Sequence, residues 1–84
     1  MTDIDSAPPV VREAVRRLYP TAVRWQPSRT GGGSLSDASG RVVGRIDATQ
    51  MTLWAYVIQA DCAGNATEVT RLLRAITQGE RMTA

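Results

Sequence analysis

The stretch of the chain that decides its fold spans residues 22–47 and reads AVRWQPSRTGGGSLSDASGRVVGRID. Apolar and polar residues alternate in it with a period of two, which is typical of β-strands that bury one face. Turn-forming residues interrupt the alternation at 27–33 and again at 37–40. The pattern therefore predicts three strands: residues 22–26, a short strand centred on Leu35, and residues 41–47.

The alternation also assigns side chains to the two faces of the predicted sheet, because successive residues of a strand point in opposite directions. The face expected to pack against helices carries Val23, Trp25, Leu35, Val42 and Ile46. The opposite face is expected to carry Arg24, Gln26, Arg41, Val43 and Arg45. Three arginines are thus predicted on one open surface.

Residues 52–60 are predicted as the longest strand, because both sides of this segment are apolar when it is extended. If its odd-numbered residues face the core, Trp54 and Tyr56 lie beside the arginines of the open surface. A shift of one residue buries the two aromatic side chains instead. The sequence leaves both registers open.

Two amphipathic helices are predicted, one before and one after these strands in the sequence. The first covers residues 7–19, with Ser6 as its N-cap and Pro20 as its stop. The second begins after Asn65 and ends at Gly79, a residue that favours the position just past a helix. Their apolar stripes repeat at helical spacing and consist of Val11, Ala14, Val15 and Leu18 in the first helix and Val69, Leu72, Leu73 and Ile76 in the second.

These elements predict an α+β fold: helix, three- to four-stranded antiparallel meander, helix, with both helices on one face of the sheet. A chain of 84 residues has room for one domain. We expect that domain to cover residues 7–79, between a flexible N-terminal tail (1–6) and a C-terminal tail (80–84).

The charged residues are ten arginines and eight acids, with no lysine, so the net charge at pH 7 is +2. A balance this modest permits an anionic partner without requiring one. Cys62 is the single cysteine, which excludes an internal disulfide, and residues 1–6 lack the basic and apolar parts of a signal peptide. The cytoplasm is the expected compartment, and no membrane association is predicted.

Catalytic and metal-binding motifs are absent from the sequence. There is no histidine to act as a general base, and Cys62 has no basic neighbour, so a buried or half-buried structural cysteine is expected. The Gly31–Gly33 run lacks the Gly-Lys-Ser/Thr ending of a phosphate-binding loop. We therefore expect a protein that is not an enzyme and holds no cofactor or metal.

The helix–strands–helix order resembles that of the double-stranded-RNA-binding domain and of the HicA-type toxins. The RNA-binding family grips phosphates with a lysine-rich start of its second helix. The matching stretch here, Gly64-Asn65-Ala66-Thr67-Glu68-Val69-Thr70, holds an acid and no basic residue. The toxins depend on a histidine that this chain lacks. Both resemblances are confined to element order.

Three functions remain as hypotheses. The first is a protein-binding module or inhibitor, of the kind that phages and mobile elements use against host defence complexes, as the anti-CRISPR proteins do. The second is a nucleic-acid-binding domain, in which aromatic residues stack on the bases of the nucleic acid and arginines contact its phosphates. The third is a homodimer in which two copies of the chain pair through their open sheet faces. The residues predicted to bind the partner are Arg24, Arg41, Arg45, Trp54 and Tyr56 on the sheet, and Arg12 and Arg16 on the first helix.

Overall fold

The computed structural model describes the backbone of residues 2–82 and the side chains of residues 2–78. These residues form an antiparallel sheet whose one face is covered by helices, which confirms the predicted α+β class. In chain order the elements are β1 (Thr2–Asp3), a 3-10 turn (Ile4–Ser6), α1 (Pro9–Leu18), β2 (Arg24–Pro27), β3 (Gly33–Ser36), β4 (Val42–Ile46), α2 (Ala48–Cys62) and α3 (Ala66–Met82).

The sheet has the strand order β1-β2-β3-β4, and its helix-facing side forms half of the core. Trp25 and Leu35 are cross-strand partners on this side, and both are buried together with Ile46. Glycine makes room for aromatic rings between the layers. A Cβ on Gly44 would come within 2.5 Å of the Tyr19 ring, and one on Gly33 within 2.6 Å of the Trp25 ring.

The first helix confirms the predicted amphipathic element, although it starts differently. Pro9 occupies the first helical position, where a missing N–H costs little, and Pro8 is the N-cap without a side-chain bond. Ser6 is therefore not the cap; it ends the preceding 3-10 turn. Val11 and Ala14 are fully buried, as the apolar stripe predicts.

The prediction of a strand over residues 52–60 is wrong, because this segment lies inside the 15-residue helix α2. Asp47 starts the helix with a capping box. Its Oδ1 accepts from the Gln50 backbone N–H at 2.8 Å, and the Gln50 Oε1 accepts from the Asp47 N–H at 3.1 Å. Local hydrogen bonding thus fixes the start of the element, and nothing interrupts the helix before Cys62.

The position of α2 explains why its sequence is apolar on both sides. It packs between α1 and α3 and also faces the sheet, so one stripe is not enough. Trp54 and Val57 are buried in the core, and Met51 and Leu53 pack against it. An extended central strand and a helix covered on three sides produce the same continuous apolar run.

A tight turn joins α2 to α3. The Asn65 N–H donates to the Ala60 carbonyl, and Gly64 adopts φ +71, the pattern that ends helices with a left-handed residue. The Asn65 Oδ1 then accepts from the Glu68 N–H at 3.2 Å and caps the start of α3. Helix α3 does not end at Gly79; it continues through that residue to Met82.

The N-terminal residues belong to the fold rather than to a tail. Thr2 pairs with Trp25 and Asp3 with Arg24, so that β1 forms one edge of the sheet. The Ile4 N–H donates to the Val23 carbonyl at 3.2 Å. At the other end, residues 80–82 lie in α3, and residues 83–84 of the predicted tail fall outside the described part.

Two valines predicted to face the helices are exposed instead. An irregularity between Leu35 and Ser36 shifts the register so that Ser36 pairs with Val42, and Val42 is 47% exposed. Val43, predicted on the open surface, packs against the core in its place. Val23 precedes β2 and is 41% exposed. One extra residue in a strand changes the face of every residue beyond it, and the alternation alone does not reveal it.

Candidate functional site

The surface that best fits a binding role is the face of the sheet turned away from the helices, called the open face below. Cross-strand partners share a face, so the pairing places its side chains in two rows. One row runs Asp3, Arg24, Ser36, Val42, and the other runs Gln26, Ser34, Arg45. Arg24, Gln26, Val42 and Arg45 are exposed. Ser34 is half-buried and Ser36 is buried beneath its neighbours, so the exposed positive charge of this face belongs to the two arginines.

The arginines of the open face have no ion pair with any described residue, unlike most of those on the helices. On α1, the Arg17 Nε lies 2.9 Å from the Glu13 Oε1, and its Nη2 lies 3.6 Å from the Asp61 Oδ1 of α2. Arg24 and Arg45 have no such acid. Their guanidinium groups keep all of their donors available to a partner.

Arg41 lies beside the open face, in the turn between β3 and β4. Its backbone N–H donates to the Asp37 Oδ1 at 3.0 Å. Hydrogen bonds from Ser39 hold the pKa of the Asp37 carboxyl below its ordinary value, and the charge of Arg41 lowers it further. Asp37 therefore stays ionised and partly offsets Arg41, so that the uncompensated charge of this region lies on Arg24 and Arg45.

The two aromatic residues predicted to join these arginines lie elsewhere. Trp54 is 1% exposed in the core, packed on the helix side of the sheet. Tyr56 is 53% exposed, but it projects from α2, in the helical layer. The predicted mixture of aromatic and arginine side chains on one sheet face is therefore wrong.

The two arginines predicted on the first helix are exposed, yet both have partners within the chain. The Arg12 Nη1 donates to the Asp5 carbonyl at 3.2 Å, which ties α1 to the 3-10 turn. Arg16 forms an ion pair with Glu13. The structure places this pair of arginines in the helical layer, separate from Arg24 and Arg45.

A cleft of about 270 Å³ continues the open face at the end where β2 and β3 meet their loop. Arg45, Gln26 and Ser34 line it from the strands, and Ser28 and Thr30 line it from the loop. Their hydroxyl groups hydrogen bond to each other at 2.9 Å. Asp47 also lines the cleft, and its Oδ1 accepts from the Gln50 N–H at the start of α2. The cleft thus combines one cation that forms no ion pair with a described residue, one carboxylate and several neutral hydrogen-bonding groups.

A second cleft, of about 420 Å³, lies between α2 and α3. Tyr56, Ala60 and Leu72 give it an apolar lining. Its charged residues, Glu68 and Arg71, form an ion pair with each other, and this bond holds the pKa of Glu68 below its ordinary value. The surface has shape but no free charge with which to select a partner.

The described residues offer no cluster of metal ligands. Residues 2–82 contain no group of three acids, histidines or cysteines able to hold a metal ion. Cys62, expected to be buried or half-buried, is exposed at the end of α2. Over the same residues, no helix combines the length and the apolar character needed to cross a membrane.

The sequence predicted Arg24 and Arg45 on the open face, but the serines and the valine next to them were not predicted there. Ser34 and Ser36 separate Arg24 from Arg45 on the open face, and Val42 lies at its edge. The alternation around Leu35 was a sufficient signal for the two serines. Val42 had no such signal, because the irregularity that exposes it depends on how β3 and β4 pair.

The helix that follows the last strand also differs from that of the RNA-binding family. It is α2 rather than the segment after Gly64, and residues 48–62 contain no basic residue. Comparison of the chain with models of known protein families, with curated proteins and with solved structures finds no match in any of the three.

Proposed function

We propose that the protein is a non-catalytic binding module that acts by protein–protein contact through the open face. The observation that supports this is the presence of Arg24 and Arg45 on an uncovered sheet face, where neither forms an ion pair with a described residue. Arginine is enriched in protein interfaces because it combines several hydrogen-bond donors with an apolar stem.

The neighbours of the two arginines favour a protein partner. Val42 is exposed in the row of Arg24 and adds apolar area to a polar surface. Protein interfaces have this mixed composition, with apolar residues inside and polar residues around them. We place this function in the cytoplasm, where an exposed thiol such as Cys62 stays reduced. Occlusion of a site on the partner, as in an inhibitor from a phage or mobile element, requires no more than this surface.

Binding of single-stranded nucleic acid is the second candidate, and the same arginines support it. Its support is weaker, because Trp54 lies in the core and Tyr56 lies in the helical layer, so no aromatic side chain is available on the open face for base stacking.

Affinity capture with matched variants tests the proposal. The tagged chain, the double variant Arg24→Glu/Arg45→Glu and the control Arg74→Glu are incubated with an extract of the organism that encodes the protein. Arg74 is an exposed arginine of α3 without an ion pair among the described residues, so it controls for charge alone. We expect a protein that binds the wild type and the control but not the double variant. Equal capture by all three forms would contradict the proposal.

A further inference from the structure

We infer that the partner is recognised through carboxylate groups of an acidic protein segment, held at two points of the open face by Arg45 and Arg24. This inference rests on the proposed function and names the chemistry of its partner. It depends on the cleft beside the β2–β3 loop, on the spacing of the two arginines and on the acids that flank them.

The first point is the cleft, where Arg45 stands beside neutral donors. Gly31 adopts φ +98, and Gly32 lies so close to the Ile46 carbonyl that no side chain would fit there. The loop is therefore held against the end of β4 and forms one wall of the cleft. A carboxylate in the cleft would accept from the Arg45 guanidinium, with the Ser34 hydroxyl and the Gln26 amide nearby as further donors.

The second point is Arg24, two strands away. Arg24 of β2 pairs with Ser36 of β3, and Arg45 of β4 pairs with Ser34 of β3. The two arginines are thus separated by two strand spacings across the sheet and by two residues along the strands. Their Cα atoms are therefore about 12 Å apart. Two carboxylates four residues apart on an extended segment have about the same separation.

The flanking acids favour isolated carboxylates over a phosphate backbone. Asp3 is the cross-strand partner of Arg24, and Asp47 lines the cleft of Arg45. A nucleic acid carries a charge on every nucleotide and would meet both aspartates as well as both arginines. A protein segment can place acids opposite the arginines and neutral residues opposite the aspartates. Exposed Val42 offers the same segment an apolar contact.

The test is an NMR titration of the ¹⁵N-labelled full chain at low salt with a diglutamate peptide, N-acetyl-Glu-Ser-Ser-Ser-Glu-amide, whose two acids are four residues apart, and separately with hexathymidylate. We expect the diglutamate peptide at millimolar concentration to shift the amides of Gln26, Ser34 and Arg45. Arg45→Gln should weaken this binding about fivefold, since one exposed charge pair is lost. Arg74→Gln, which removes the same charge from α3, should leave the affinity unchanged.

Absence of shifts on the open face, or shifts that centre on α1 or α3, would overturn the inference. Tighter binding of hexathymidylate at the same amides would overturn it in favour of nucleic acid. These failures are distinct from failure of the proposed function. A partner captured only when Arg24 and Arg45 are intact, together with no binding of the diglutamate peptide, would retain the function and reject the carboxylate chemistry.

Discussion

On the helices, three of the five arginines with described side chains form ion pairs with acids, whereas none of the four arginines between residues 24 and 45 does. All basic residues of this chain are arginines, so the choice of arginine says little by itself. Their placement is informative. On the helices, arginines pair with acids of their own helix and, at Arg17, also with Asp61 of the neighbouring helix. On the open face, arginine is left available to a partner.

The two regions also differ in how they use aromatic residues. Trp25 and Trp54 are buried between the layers, and the open face has no aromatic side chain among its described residues. Fold stability is therefore concentrated on one side of the sheet and the uncompensated charge on the other. Substitutions on the helix side should change stability, and substitutions on the open face should change binding.

Truncation of the buried tryptophan should have the largest effect. Trp54→Ala removes a fully buried aromatic side chain and should lower the free energy of unfolding by about 3–5 kcal/mol, measured by urea denaturation. Tyr56→Ala, two residues away on the exposed side of α2, should cost less than about 1 kcal/mol. Equal effects of the two substitutions would contradict the assignment of Trp54 to the core.

A glycine on the helix side of the sheet provides the next contrast. Gly44→Ala places a Cβ against the Tyr19 ring and should lower the free energy of unfolding by about 1–3 kcal/mol. Ser34→Ala on the open face should change it by less than about 0.5 kcal/mol. Thermal unfolding of both variants measures the difference. A neutral Gly44→Ala would show that Tyr19 does not pack on β4.

Paired and unpaired arginines should differ in their contribution to stability. Arg17→Gln breaks contacts with Glu13 and Asp61 and should lower the free energy of unfolding by about 0.5–1 kcal/mol at low salt. Arg24→Gln and Arg45→Gln should leave it unchanged or raise it slightly, because each removes an uncompensated charge. The effect of Arg17→Gln should shrink as salt is added. A loss at Arg24 as large as at Arg17 would mean that Arg24 has a structural role.

The smallest effect is expected from pH, at the turn beside Arg41. Hydrogen bonds from Ser39 lower the pKa of Asp37 in the folded protein. The stabilisation is therefore present above the pKa of the unfolded chain, about 3.9, and is lost as pH falls through the folded value. Asp37→Asn should reduce the loss of stability as the pH falls below the unfolded pKa. An unchanged pH profile would show that the turn does not depend on the charge.

Local patterns were sufficient to predict α1, the strands around Trp25 and Leu35, and the stripe of α3. They failed for residues 52–60, because a helix packed on three sides is apolar over most of its surface and so produces the continuous apolar run that is also typical of a central strand. A local signal was present, since Asp47 and Gln50 have capping-box spacing. Strand β1 was missed because two residues are too few to show alternation, and they form a strand only by pairing with β2.

The same limits apply to the candidate site. Arg24 and Arg45 were predicted together on the open face, because alternation within a strand is a local property. Which aromatics accompany them depended on the type of element formed by residues 52–60, and the position of Val42 depended on the pairing of β3 with β4. Tertiary packing determines both the position of the aromatic residues and that of Val42, and neither the hydrophobic period nor the composition of the sequence reveals it.

Photo-crosslinking from the two sides of the molecule tests the central claim most directly. A photoreactive amino acid is placed at Gln26, exposed in the middle of the open face, and in a second form at Ala75, exposed on α3. Both forms are irradiated in the presence of the captured partner. We predict a crosslinked product from position 26 and none from position 75. Crosslinking from position 75 alone would mean that the partner binds the helices and that the open face is not the binding site.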